Sequence, residues 1–222
     1  MAKQWLYGDA WEHYPIEPGE VWGAPGVGTV AVHNIFAPLP AWFDCDLLFV
    51  DPPWNRGNVN SFYTKAGRQD YIEDFADFER ALFARIDQVA PAVCYLEVGF
   101  QAVDRWRAAL AARYPAVQRF DVTYYKRSPC HILRGGAVPT AHDYTGRDEA
   151  DVIAAVAIDE QYSVMGDFCM GRGLVGLAAH HAGKPFVGTE LNKRRLAVLL
   201  DKLAEAGVPF SKTENYARLR NC

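Results

Sequence analysis

The chain lacks the signals by which several functional classes announce themselves. Its five cysteines (Cys45, Cys94, Cys130, Cys169, Cys222) are scattered and odd in number, and no two stand at metal-ligand spacing. That excludes a disulfide framework or zinc site and leaves reduced thiols. No apolar run approaches ~18 residues, so neither a transmembrane helix nor a membrane partner is expected. Met1-Ala2-Lys3-Gln4-Trp5 lacks the basic-then-apolar pattern of a secretory signal, so a cytoplasmic protein is expected. There is no internal repeat and no low-complexity segment. A net charge of −4 over 222 residues does not mark a nucleic-acid binder by bulk charge. His131 and His142 read as loop histidines, with no partner to complete a metal site.

What is present suits one soluble domain. Half of the residues are hydrophobic and 23% charged, and the length supports a two- or three-layer core. The charge is unevenly spread. Residues 1–54 carry seven acids and one base, whereas residues 55–68 hold Arg56, Lys65 and Arg68 and no acid. Residues 119–147 carry five bases against two acids, and residues 193–222 seven against three. Arg56, Lys65, Arg68, Lys126 and Arg127 are therefore candidate phosphate contacts.

Residues 1–28, rich in Trp, Gly and Pro, read as an irregular arm packed on the core. Strands are expected at 29–34, 46–50, 93–98, 120–125, 163–169 and 185–190, with a last short strand between Phe210 and Tyr216. The spacing predicts helices at 71–90, 101–114, 148–160, 174–183 and 193–206. Residues 55–70 read as a long polar loop and 126–147 as irregular and basic. Strands alternating with helices predict an α/β fold, a mostly parallel Rossmann-like sheet with helices on both faces.

Two stretches carry chemistry. Asp51-Pro52-Pro53-Trp54 ends the apolar run Leu47-Leu48-Phe49-Val50. Gly171-Arg172-Gly173-Leu174-Val175-Gly176 fits G-x-G-x-x-G between a strand and a helix, and Glu190 follows at the end of the next strand. That spacing suits a carboxylate accepting from ribose hydroxyls, so an adenosine-containing cofactor is expected. A dinucleotide enzyme needs a second mononucleotide half, but only 32 residues follow Glu190. The remaining sheet must come from upstream, in a circularly permuted order with the cofactor half at 163–216.

Asp51-Pro52-Pro53-Trp54 resembles the D/N/S-P-P-Y/F/W catalytic motif of methyltransferases acting on adenine N6 or cytosine N4. Asp167-Phe168-Cys169-Met170-Gly171-Arg172-Gly173 is similar to their D-P-F-x-G-x-G cofactor motif, with Phe168 and Cys169 where the family has Pro and Phe. Gly188-Thr189-Glu190-Leu191-Asn192-Lys193-Arg194-Arg195 is similar to the G-x-E-x-N-x-x-R that follows. The order, catalytic motif first, is that of the beta class of DNA amino-methyltransferases. The resemblance spans about residues 29–216 and implies S-adenosyl-L-methionine as cofactor and DNA as partner. Contacts to the cofactor are implied at Asn34, Ile35, Asp51, Asp167, Phe168, Cys169, Gly171, Gly173, Glu190, Leu191, Asn192 and Arg195. Asp before Pro-Pro leans towards adenine N6, with cytosine N4 the runner-up. A target-recognition region can hardly exceed 126–147, so RNA or a free nucleotide stays open as substrate. The same shortage of recognition surface raises a homodimer or partner subunit.

The chemistry such a site needs is alignment. The lone pair of an exocyclic amine is conjugated into its ring. Two acceptors aimed at the amine hydrogens, the Asp51 carboxylate and the Pro52 carbonyl, would free it. Two prolines stiffen the turn that holds them, and Trp54 offers a flat face to an extruded base. Phe62 and Tyr63 are candidate wedges for the gap left in the stack. Two other classes compete: a non-catalytic nucleic-acid-binding subunit, which would bind cofactor without turnover, and a nicotinamide-dependent oxidoreductase, which rests on the glycine turn alone.

Overall fold

The computed structural model describes residues 7–213. Among them the strands are β1 (Val21–Ala24), β2 (Gly28–Val32), β3 (Leu47–Val50), β4 (Val93–Val98), β5 (Ala116–Tyr124), β6 (Ser128–Gly136), β7 (Met165–Asp167), β8 (Phe186–Glu190) and β9 (Ser211–Lys212). The helices are α1 (Ala10–His13), α2 (Arg56–Lys65), α3 (Phe75–Val89), α4 (Val103–Ala111), α5 (Glu149–Asp159), α6 (Leu174–His181) and α7 (Lys193–Glu205).

All nine strands join one sheet in the order β5-β6-β4-β3-β7-β8-β2-β1-β9. The five central strands from β4 to β2 are parallel, and the flanking pairs are antiparallel. Alternate strand residues feed two cores, as a period of two requires. Leu47, Phe49 and Tyr95 pack with α1, α5, α6 and α7. Leu48, Val50, Cys94 and Leu96 pack with α2, α3 and α4 on the other face. A strand buried on both faces shows no polar alternation, which is why β3 reads as a continuous apolar run.

The topology fixes where a ligand fits. From β3 the chain crosses through α2 and α3 to β4 on one side. From β7 it crosses through α6 to β8 on the other. β3 and β7 are neighbours whose onward connections leave in opposite directions, so a crevice opens at their carboxyl ends.

Three segments differ from the sequence expectation. The arm at 1–28 is not irregular in its described part: β1 and β2 form an antiparallel hairpin about Pro25 and Gly26, with β9 pairing on β1. Residues beyond 213, including Tyr216, lie outside the described residues. The polar loop at 55–70 begins with α2, capped by Asn55, whose side chain accepts from the Asn58 N–H at 2.9 Å. Only Val59 and Tyr63 of this helix are buried, too few apolar positions to register as a period. The irregular stretch 126–147 begins with β6, which pairs with both β4 and β5. Its Arg134 looks like a surface residue in sequence, yet it is buried because Glu160 pairs with it at 2.7 Å. His131, read as a loop histidine, is buried in β6 beside Asp121 at 2.8 Å.

Candidate active site

Asp51 is the first residue past β3 and lines the crevice. Burial pushes its pKa up to about 7, against Arg195 and the Trp54 indole, which favour the charged form, while Glu190 raises it further. The Trp54 indole N–H is buried and meets no partner at hydrogen-bond geometry. Its ring is held between Gly99, where a Cβ would come within 2.9 Å, and the edge-on ring of Tyr124 at 5.2 Å. Trp54 is thus a fixed wall of the cavity.

The glycine turn closes the other side. Gly171 (φ +55°) and Gly173 (φ +81°) both adopt left-handed backbone, which other residues resist. A Cβ on Gly173 would strike Leu199 at 2.5 Å, so α7 also demands this glycine. Glu190 ties the turn down: its Oε2 accepts from the Gly171 N–H at 2.6 Å and its Oε1 from the Asn192 N–H at 2.8 Å. Each oxygen retains a lone pair for a hydroxyl donor. Asp167 is buried and accepts from the Cys169 N–H at 2.8 Å. Burial and the nearby Asp51 and Glu190 carboxyls hold its pKa well up. Burial also raises the pKa of the Cys169 thiol.

Most of the residues singled out in the sequence meet here. One cavity of about 380 Å³ is lined by Asn34, Ile35, Asp51, Pro52, Pro53, Trp54, Phe62, Tyr63, Asp167, Phe168, Cys169, Gly171, Glu190, Leu191 and Arg195. Arg195 reaches over the glycine turn and lies 5.0 Å from the Phe62 ring centre. Other residues are committed elsewhere. Asn192 caps α7 and donates to the Lys65 carbonyl at 3.0 Å, and it does not line the cavity. Tyr63 is buried, its hydroxyl donating to Asn34 Oδ1 at 2.9 Å, so it holds Asn34 in place and is not a mobile wedge. Arg56 donates to the Glu73 carbonyl at 3.2 Å, and Arg68 pairs with Asp70. Lys126 and Arg127 stand exposed at the tip of the β5–β6 hairpin, beside the cavity-lining Tyr124 and Tyr125.

Sequence reasoning missed a second group of cavity residues: Glu97, Glu149, Tyr124 and Tyr125. Glu97 is wholly buried near the end of β4. The signal was available, since an acid inside the apolar run Val93-Cys94-Tyr95-Leu96-Glu97-Val98 is out of character. Glu149 opens α5 and accepts from the Tyr125 N–H at 2.9 Å, and burial pushes its pKa up to about 7. Tyr125 and Lys126 both hold positive φ (+49° and +57°), a strained pair at the hairpin tip.

The described residues include no helix long and apolar enough to cross a membrane. No family model and no curated protein matches the chain. Solved structures do resemble it. TTHA0409 from Thermus thermophilus, a candidate DNA modification methylase complexed with S-adenosyl-L-methionine, aligns over 79% of this chain and 93% of its own, at TM-score 0.55 and 13% identity. The M1.HpyAVI–SAM complex aligns over 72% and 89%, at TM-score 0.52 and 12% identity. PvuII DNA methyltransferase, cytosine-N4-specific, aligns over 88% and 93%, at TM-score 0.51 and 9% identity. At these identities the likeness establishes a shared α/β fold.

Proposed function

We propose that the protein is an S-adenosylmethionine-dependent DNA methyltransferase that methylates an exocyclic amine, the N6 of adenine. The observation that carries this reading is the meeting of Asp51 and the Gly171 turn at the carboxyl ends of the adjacent strands β3 and β7, in one cavity. Catalytic motif before cofactor motif is the beta-class order. The three solved relatives, two bound to this cofactor and one acting on cytosine N4, support the broader class.

The residues present fit the cofactor. Gly171 lines the cavity in left-handed backbone under the Arg195 guanidinium, Glu190 keeps acceptor capacity for ribose hydroxyls, and Asn34 and Ile35 line the same cavity. When bound, S-adenosyl-L-methionine supplies an electrophilic sulfonium methyl. Asp51, in its ionised form, accepts one amine hydrogen and the Pro52 carbonyl the other, which turns the nitrogen lone pair out of conjugation. Pro52 and Pro53 stiffen that pair of acceptors. Trp54 and Tyr124, packed edge to face, form one aromatic wall for the base. Lys126 and Arg127, at the hairpin tip, meet the phosphates.

A second reading, cytosine N4, is favoured by the cytosine-specific relative. Incubation of the protein with labelled cofactor and oligonucleotides of DNA and of RNA, followed by nucleoside analysis, tests all of these. N6-methyladenine in DNA, absent with Asp51→Ala, is the expected product. N4-methylcytosine would select the second reading, and product in RNA alone would move the substrate. Cofactor binding with no transfer to any oligonucleotide would refute the enzyme.

A further inference from the structure

Glu97 is a buried group that the mechanism above does not use. β3 and β4 run parallel in register, with Phe49 opposite Tyr95 and Val50 opposite Leu96. Phe49 and Tyr95 stack on one face at 5.6 Å. Alternation places the residues two steps on, Asp51 and Glu97, side by side on that same face at the crevice. The Glu97 side chain is wholly buried and lines the cavity. Its Oε2 has no partner, and its Oε1 has only the Cys130 thiol at 3.6 Å.

A buried carboxyl is normally paired with a cation or with several N–H donors. Among the described residues no ion pair reaches Glu97. Its neighbours are other acids, Asp51 just past β3 and Glu149 and Asp148 at the start of α5. Burial first, and these carboxyls after it, hold its pKa well above the ordinary range. With no cation and no N–H donor at either oxygen, buried Glu97 takes the neutral form, an O–H donor lining the cavity beside an acceptor, Asp51. That pair complements one edge of a nucleobase. Adenine and cytosine both present an amine donor next to a ring-nitrogen acceptor. Guanine presents an N–H donor next to its amine and would set hydrogen against hydrogen.

We propose that Glu97 reads the ring nitrogen adjacent to the target amine, donating its carboxyl proton in a hydrogen bond to N1 of adenine, or to N3 if the target is cytosine. The assignment rests on the reading of Asp51 as the amine acceptor. It makes Glu97 a substrate-contacting specificity residue, one that admits a base only when donor and acceptor fall in that order. Cys130 Sγ holds the other oxygen and orients the acid.

The test is a cycle between protein and base. Oligonucleotides carrying adenine or 1-deazaadenine (C–H in place of N1) are methylated by the wild type, Glu97→Ala and Glu97→Gln. If nucleoside analysis has shown cytosine to be the target, the pair is cytosine and 3-deazacytosine. The wild type is expected to lose roughly 10–100-fold in kcat/KM on the deaza base. Glu97→Ala should treat both bases alike at that lower rate, while Glu97→Gln, whose amide N–H can donate, recovers the natural base. S-adenosylhomocysteine binding and the melting temperature of each variant establish that the cofactor half is folded. Equal wild-type rates on both bases would overturn the assignment, as would an undiminished preference for the natural base in Glu97→Ala. Both outcomes leave Asp51 standing. Wild-type protein that transfers to no amine at all would instead sink the Asp51 reading and this assignment with it.

Discussion

The carboxylate of Glu190 grips the backbone N–H of Gly171 at 2.6 Å, joining the end of β8 to the glycine turn that follows β7. The second oxygen holds the Asn192 N–H at 2.8 Å, so one buried side chain sets both the turn and the start of α7. Glu190→Gln places an amide NH₂ against one of these N–H groups. The expected result is a loss of roughly 1–3 kcal/mol in stability, read by urea unfolding. S-adenosylhomocysteine affinity, read by calorimetry, should weaken by about tenfold or more. A variant that melts early yet binds with full affinity would make Glu190 a purely structural clamp.

The pKa of Asp51 makes activity and stability move oppositely with pH. Burial raises it from 3.8 to about 7, so the folded state holds this proton more tightly than the unfolded chain. The contribution of Asp51 to stability is therefore fully present below about pH 4 and is lost as pH rises through about 7. Activity requires the ionised acceptor and should rise over that upper limb, levelling above pH 7. Asp51→Asn is expected to lower the rate roughly 100–1,000-fold, to flatten that limb, and to raise the melting temperature at pH 8. A melting temperature at pH 8 below that of the wild type would contradict the burial argument.

At the far end of β4 the same sheet buries an ion pair. Arg134 Nε lies 2.7 Å from Glu160 Oε1, with side chains 5% and 11% exposed, and the Tyr95 hydroxyl donates to the same oxygen at 2.6 Å. Burial would raise the Glu160 pKa, but hydrogen bonds from Arg134 and Tyr95 outweigh it and leave the pKa lowered. This pair therefore stabilises fully above the unfolded value near 4.5 and is lost as pH falls through the lower folded value. Glu160→Ala strands a buried guanidinium and should cost roughly 3–5 kcal/mol in chemical denaturation at pH 7. The loss should be smaller at pH 3.

Lys126 and Arg127 are exposed beside Tyr125 at the hairpin tip. Their replacement by Ala together should weaken DNA binding about equally on all sequences. The dependence of log K on log salt should fall by roughly one for each phosphate contact removed. Anisotropy titrations over a salt series read this. An unchanged slope would place the DNA elsewhere on the surface.

Much of the fold was legible because its signals are local. β3 and β4 announce themselves as apolar runs, and α7 by the spacing of Leu196, Leu199, Leu200 and Leu203, all buried. α2 was not legible, because a helix that buries only Val59 and Tyr63 has almost no period to detect. β6 was hidden by Arg134, whose burial depends on Glu160 in a different element. In the site, Asp51 and Glu190 stood out through turn chemistry and spacing. Tyr63 and Asn192 were given ligand roles that their actual hydrogen bonds, to Asn34 and to the Lys65 carbonyl, take up instead.

By itself the sequence determined the α/β class, the stiff Asp-Pro-Pro turn and the left-handed glycine turn, since proline geometry, glycine freedom and hydrophobic period act over a few residues. Tertiary structure alone decided that the two turns open into one cavity, because β3 and β7 become neighbours only when the sheet assembles. It alone set Glu97 beside Asp51. That juxtaposition depends on the register of β3 against β4, which the packing of two buried faces selects and no local signal specifies.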